Sequence, residues 1–287
     1  MTIAFCFLTY DHIIRFDLWN IFFKNIENEK YIVYIHPKNN IYTKQIQKQN
    51  EIVSMNLSDR SHVDKGLFSG ERRLYENSNG KSVENYTFNY KVVHSIINTI
   101  SKDNISIVKA TLQLLKETYL YNNNITHFIF LSQSCIPLYN FDKIYELTKK
   151  FNYSVISSIN NNKKDRYYQL HNNIKKYIKY NDFVKQQPNM ILIKNDVIDL
   201  FNKNFTIYFN NMQCPDEHYF INVLLNILKK KIIKQQINFC NYDLNKTQAI
   251  EFNIIDVKLI NKIRQYGFLF MRKINKNSII DCDYLFK

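Results

Sequence analysis

Glycine and proline are scarce, with four of each in 287 residues. A chain so poor in turn-forming residues is neither collagenous nor a linker-rich, disordered protein. Five cysteines (Cys6, Cys135, Cys214, Cys240, Cys282) lie far apart with no Cys-x-x-Cys pair. That spacing excludes a zinc ribbon and a dithiol redox motif, and the odd number gives no disulfide framework. Reduced, mostly buried thiols are expected. The seven histidines include no His-x-x-x-His pair, so a zinc site is not indicated. Neither a Gly-x-Ser-x-Gly elbow nor a Gly-x-x-x-x-Gly-Lys loop occurs, which removes the usual hydrolase and nucleoside-triphosphatase signals. No apolar run approaches the roughly 18 residues of a membrane span. The start, Met1 to Leu8, lacks a basic leader and a cleavage signature and reads as a strand. A cytoplasmic location is the expectation.

Acids are also in the minority: 25 Asp and Glu against 39 Lys and Arg, a net charge of +14. One reading is an anionic partner such as nucleic acid, a membrane surface or a phosphorylated small molecule. The other is lysine inflation by an AT-rich genome, such as a protist's or a large DNA virus's, which the many Asn, Ile, Lys and Tyr residues suggest. At 45% hydrophobic residues the chain can bury a substantial core.

The apolar patterns alternate between strand and helix. Ile3–Leu8 and Tyr31–His36 read as buried strands around a helix near Asp17 to Asn25. Ser106 to Tyr121 carries the clearest helical stripe. His127–Leu131 is a further strand, and the turn Ser132–Leu138 at its carboxyl end is where open α/β sheets bind ligands. Phe141–Lys150 and Asp196–Phe201 follow as helices, with Ser154–Ile159 and Met190–Ile193 as strands. Ile232–Cys240 is expected as one late strand, and Val257–Gln265 as a helix capped by Gly267. Val92–Ile97 is expected to return to the sheet. Residues 50–90 read as a long loop, and the basic, Tyr-rich stretch 160–182 as a surface segment or an acceptor-binding loop. With no repeat and no composition break, residues 1–287 are expected to form a single α/β domain.

The stretch Cys214-Pro215-Asp216-Glu217-His218-Tyr219-Phe220 stands out. Proline suits the first helical position, and acids in the first turn suit the positive end of the helix dipole. On a continuous helix, Glu217 would share a face with Phe220, Ile221, Leu224 and Leu228. His218 would then point off that face to the surface. The inward carboxylate has two readings: helix-start chemistry, or a catalytic base at the floor of a cleft.

Several segments together resemble the Core-2/I-branching β-N-acetylglucosaminyltransferase family, including its plant-type branch. The matching pieces are Ile3–Tyr10, Tyr31–Lys38, Ser106–Lys116, His127–Leu138, Lys185–Leu192, Cys214–Leu224 and Leu269–Ile274. Ser132-Gln133-Ser134-Cys135-Ile136-Pro137-Leu138 is similar to the plant branch's Ser-Glu-Ser-Cys-Ile-Pro-Leu, and Asp216-Glu217-His218-Tyr219 to its Asp-Glu-His-Tyr. The resemblance implies a GT-A type fold, with a central, mostly parallel mixed sheet flanked by helices. It implies inverting transfer of a sugar, N-acetylglucosamine or a relative, from a UDP-sugar to a hydroxyl of a glycan, glycoprotein or small acceptor. The glutamate of the family's Pro-Asp-Glu motif is the general base, which maps to Glu217. No cofactor or divalent metal is implied, because basic residues near the C-terminus bind the diphosphate. One maps to Lys273 of Leu269-Phe270-Met271-Arg272-Lys273. The family's second, an arginine, falls near Ile250, which leaves Lys246, Arg264 and Arg272 as alternatives. Where some members place a uridine-contacting acid after the second strand, this chain has His36. The expected donor side is thus Lys273, Arg272, His36, Ser134 and Cys135, although Cys135 also reads as a buried structural thiol.

Two rivals stand beside this reading. Lys175, Lys176, Lys179 and Lys185, interleaved with Tyr177, Tyr180 and Phe183, have the composition of a nucleic-acid track. A degenerate transferase acting only as a binding protein is the other. Asp281-Cys282-Asp283 has the Asp-x-Asp form of metal-dependent sugar transferases, but its place at the chain end fits a solvated tail.

Overall fold

The computed structural model describes residues 1–38, 88–100, 104–160, 165–242 and 249–286. Most of the expected 50–90 loop, residues 50–87, lies outside the described residues.

The first strand, β1 (Thr2–Leu8), shows why the fold is layered. Successive side chains of a strand point to opposite faces. Ala4 and Cys6 enter one apolar cluster, and Ile3, Phe5 and Phe7 enter another. Both faces are therefore buried, and the strand reads as one continuous apolar run, as parallel central strands do. It lies between β2 (Tyr31–His36) and β4 (Ile125–Ser132), parallel to both. The two-residue β3 (Lys91–Val92) pairs parallel with β2. Next to β4 runs the antiparallel β7 (Val184–Ile193), then β6 (Ser154–Asn160), and finally β8 (Ile232–Ile233). The order of this seven-stranded, mixed but mostly parallel sheet is β3-β2-β1-β4-β7-β6-β8.

Helices cover both faces. The Ser106–Tyr121 helix buries Val108, Leu114 and Leu115 on one side, joined by Val197 and Leu200 of the Lys194–Asn202 helix. On the other side the Phe16–Phe23 helix presents Trp19, Phe22 and Phe23: Trp19 stacks on Phe23, Trp19 and Phe23 meet Phe5 edge-on, and Phe22 lies tilted against Phe141. Aromatic side chains carry the largest burial per residue, and each such pair adds roughly 0.5–1.5 kcal/mol beyond area.

A second, three-stranded sheet places β11 (Phe270–Arg272) between β5 (Ile136–Pro137) and β9 (Asn238–Cys240). Beside it, β10 (Phe252–Ile255) pairs with β12 (Ile274–Ile280). A third apolar cluster of Ile136, Leu138, Met271, Ile274 and Leu285 knits these small sheets to the Val257–Gln265 helix. Gly267, at φ +78°, turns the chain from that helix toward β11.

Several expectations need correction. The return to the sheet is confined to Lys91–Val92, and the residues just before it are buried rather than loose: Phe88 and Tyr90 lie 4.6 and 5.8 Å from the Phe16 ring. The late strand at 232–240 is two strands in two sheets, because residues 234–237 leave the extended pairing between β8 and β9. The described part of 160–182 is not a loose surface segment, since Leu170, Ile174 and Ile178 enter the main core. Among the described residues, no helix is long and apolar enough to cross a membrane.

Candidate active site

The strands β1, β2 and β4 end at a common edge, and β7 runs past them because its pairing with β4 stops at Met190. Ligands of open α/β sheets bind outside such carboxyl ends.

His36, at the end of β2, is fully buried. The Ile97 N–H points at its Nε2 at 3.1 Å, so that nitrogen is the acceptor and Nδ1 donates to the Pro37 carbonyl at 2.8 Å. Burial lowers its pKa, in keeping with a neutral ring. Both ring nitrogens are occupied by the backbone. The expectation of a nucleotide contact from His36 is therefore corrected: the ring ties residue 97 to the strand end.

The Ser132–Leu138 turn is likewise built into the frame. Cys135 is fully buried, with Sγ 3.2 Å from Ser132 Oγ and 3.4 Å from Asn189 Nδ2. Its carbonyl accepts from the Trp19 indole at 3.1 Å. It is the buried structural thiol, and not a side chain exposed to a donor. Ser134 is almost buried, and its carbonyl accepts from the Ile274 N–H at 3.0 Å. That bond brings Lys273 against the turn. Arg272 lies opposite Cys240 in the β11–β9 register. Both Arg272 and Lys273 are partly buried, and Arg272 Nε is buried without a hydrogen-bond partner among the described residues. A buried guanidinium N–H with no acceptor is costly unless an anion or water supplies one.

Of the alternatives for the family's arginine, Arg264 is excluded. Its Nε donates to the Leu138 carbonyl at 2.7 Å and its Nη2 to the Leu285 carbonyl at 2.8 Å, between the rings of Tyr139 and Tyr284. It fastens the C-terminal residues to the turn. Lys246 lies outside the described residues.

Glu217 sits across the site, but not on a continuous helix. Cys214 is left-handed at φ 47°, Pro215–Glu217 form a tight 3-10 turn, and His218 breaks the register at φ −132°. The α-turn Tyr219–Asn222 and a π-turn over Val223–Ile227 follow. This break corrects the placement of His218, which is fully buried rather than on the surface. Glu217 instead stays partly open, at 30% side-chain exposure, and is held by two cations. Arg166 Nη1 lies 2.6 Å and Lys185 Nζ 3.1 Å from the same oxygen, Oε2. The other oxygen, Oε1, takes neither cation. Burial pushes the Glu217 pKa up, but the Arg166 hydrogen bond and the Lys185 charge outweigh it and hold the group below the usual range. Its neighbour behaves oppositely: burial, then the Glu217 charge, raises Asp216 to about 6, and Asp216 Oδ1 has no hydrogen-bond partner among the described residues.

Tyr242 stands beside Cys240. Burial and then Cys240 raise its pKa, with smaller effects of Arg272, which lowers it, and Glu217, which raises it. The phenol thus lies within electrostatic reach of both groups.

A sequence profile described as Core-2/I-Branching enzyme matches residues 3–264. The chain belongs to the Core-2/I-branching enzyme family. That family has a GT-A-like glycosyltransferase fold, and membership implies a glycosyltransferase. No curated protein matches the chain. The match takes in β1, the Ser132–Leu138 turn and the Glu217 turn, but stops before Arg272 and Lys273.

Within this Core-2/I-branching chain, Arg166 and Lys185 were missed as site residues. They lie far from Glu217 in sequence, and both read as members of a basic surface run. The signal available was the resemblance at Lys185–Leu192, which marked that strand without giving Lys185 a role. The lysine track is itself broken up: Lys185 pairs with Glu217, and Lys175 donates to the Tyr168 carbonyl and to Asn172. Among the described residues, no three His, Cys, Asp or Glu side chains are grouped to hold a metal. Asp281 accepts from the Tyr284 N–H at 3.1 Å and caps the last short helix.

Proposed function

We propose that the protein is an inverting glycosyltransferase that moves a sugar, N-acetylglucosamine or a relative, from a UDP-sugar to an acceptor hydroxyl without a divalent metal. The acceptor is a glycan, a glycoprotein or a small hydroxyl compound. The observation that carries this reading is the divided carboxylate of Glu217 in a chain of this family. Two cations hold Oε2, which keeps the group ionised and fixed, and leave Oε1 to receive a proton.

In the reaction, the acceptor oxygen attacks the anomeric carbon from the face opposite the diphosphate. As that bond forms, the hydroxyl proton passes to Glu217 Oε1. The anomeric carbon–oxygen bond breaks, and its electron pair leaves on the β-phosphate of UDP. General-base assistance of this kind is worth roughly 10²–10⁴-fold. Arg272 and Lys273 face the charge that builds on the leaving group, and fixed cations there often supply the largest single contribution. The unpartnered Nε of Arg272 supports an anion at that point. Ser134 supports the reading through its backbone, which holds Lys273 in place.

The test is Glu217→Gln, read by transfer assay and by calorimetry with UDP. Transfer is expected to fall by about 10²–10⁴-fold with UDP affinity nearly intact. Full transfer by the variant would remove Glu217 from the role of base. Lys273→Ala is expected to weaken UDP binding, and EDTA to leave transfer unchanged. Loss of activity in EDTA, restored by manganese, overturns the metal-free claim, and UDP binding without turnover of any donor points to a binding protein.

A further inference from the structure

We infer that His218 is a positioning residue: its neutral ring orients Arg166, and through Arg166 it fixes the Glu217 carboxylate. This rests on the reading of Glu217 as base and adds a buried support to it.

The chain of contacts has one direction. His218 Nδ1 lies 3.0 Å from the Val184 carbonyl oxygen, which can only accept, so Nδ1 carries the hydrogen. The neutral ring then offers a lone pair at Nε2, which lies 3.2 Å from Arg166 Nη1. A guanidinium can only donate, so the tautomer and the arginine agree. The same Nη1 reaches Glu217 Oε2 at 2.6 Å.

The surroundings lock each link. The His218 ring is fully buried and stacks on Phe183 at 4.7 Å, with 15° between the planes. Asn222, also fully buried, donates to the carbonyls of both Val184 and His218 at 2.7 Å and accepts from the Val184 N–H at 3.1 Å. Arg166 needs such a guide. It rides on the single helical turn Asp165–Tyr168, which meets the core through the half-buried Tyr167, 5.8 Å from the Phe183 ring. That contact holds the backbone, and the acceptor on His218 sets the direction of the long side chain.

The arrangement requires an uncharged imidazole. A protonated ring would set an N–H against the guanidinium. Burial is the main cause that lowers His218, to about 4, and Arg166 and Lys185 add to it. The charged and titratable groups facing Glu217 are Arg166 from its helical turn, Lys185 from β7, Asp216 and His218 from its own segment, and Tyr242 after β9. Outer partners that orient a working group are typically worth about tenfold to a hundredfold in function.

Three variants test this: His218→Phe, which keeps a stacked ring and removes both nitrogens; His218→Gln, whose amide oxygen accepts from the guanidinium; and Arg166→Gln. The readouts are the Glu217 side-chain titration followed by carbon NMR, assigned with Glu217→Gln, and the acid limb of kcat/KM. His218→Phe and Arg166→Gln are expected to move the Glu217 titration upward. Each is expected to lower kcat by roughly 10–100-fold with UDP affinity unchanged. The double variant should be no worse than the single ones, and His218→Gln should recover most of the loss. An unmoved Glu217 titration in a folded His218→Phe protein overturns the inference, as do fully additive effects. Should His218→Phe not fold, the same titration in His218→Leu decides: an upward move that matches Arg166→Gln supports the chain of contacts, and an unmoved Glu217 refutes it. A titration that moves while the acid limb of the rate stays put keeps the inference and sinks the base role.

Discussion

Two groups of charged side chains sit at opposite ends of the β6–β7 pair, and they differ in how completely they are balanced. At the Ser154 end, the almost buried Asp196 accepts from Ser154 Oγ at 2.5 Å and faces Lys230 Nζ at 3.5 Å. Lys230 also pairs with Asp199 at 2.6 Å, and Ser154 Oγ receives the Ile193 N–H. The Lys230 hydrogen bond is the main reason the Asp199 pKa is lowered. At the Lys185 end, Asp216 and Glu217 stand beside Arg166 and Lys185. There, however, Asp216 Oδ1 is left without a hydrogen-bond partner among the described residues, and both cations converge on one oxygen of Glu217. The first group closes on itself and fastens β6 to the helix that follows β7. The second keeps an oxygen and a buried carboxylate in reserve, which is what a site for chemistry requires and a structural clasp avoids.

The comparison breaks most sharply if the two glutamate and aspartate positions respond alike. Glu217→Gln is expected to cost about 3–5 kcal/mol of transition-state stabilisation, the equivalent of its expected rate loss, with little change in the urea midpoint. Asp196→Ala should do the reverse, losing roughly 2–3 kcal/mol of stability in urea unfolding and leaving UDP affinity alone. Next comes Asp216→Asn. A carboxyl raised in the fold favours the native state below its ordinary value and loses that advantage as pH rises from 3.8 through about 6. The asparagine variant should therefore be more stable than the parent at pH 8, by on the order of 2 kcal/mol, and little different at pH 4. The smallest effect is expected for Lys203→Ala. Its pair with Asp199 at 3.4 Å joins residues four apart, and the lysine is half exposed, so about 0.3–0.5 kcal/mol is at stake.

The two ends also differed in how far they could be read beforehand. Tyr31–His36, Ser106–Tyr121 and Val257–Gln265 have the bounds their apolar periods predict. In each, one period holds from end to end and packing follows it. The Glu217 stretch defeats the same method. A 3-10 turn, a break at His218 and a π-turn each change the angular step, so a helical wheel drawn through them sends His218 outward when it is buried. The wheel still marks Glu217 as unusual, because a carboxylate before a long apolar run needs an explanation in any geometry. Arg166 was beyond reach for another reason. Nothing in Asp165-Arg166-Tyr167-Tyr168 distinguishes a site arginine from a surface one until the chain has returned some fifty residues later. His36 misled for a third reason: its position at a strand end was right for a ligand, but its two nitrogens serve the backbone on either side.

The placement of β11 has a bearing on what such a molecule can become. Arg272 rides on a strand gripped along both edges, by β5 and by β9, so its position is shared by three segments and resists drift. Arg166 rides on a single helical turn that meets the interior through Tyr167. One short turn has fewer partners than a strand paired on both sides, so sequence change can alter the company kept by the proposed base while the strand proposed to meet the diphosphate keeps its place.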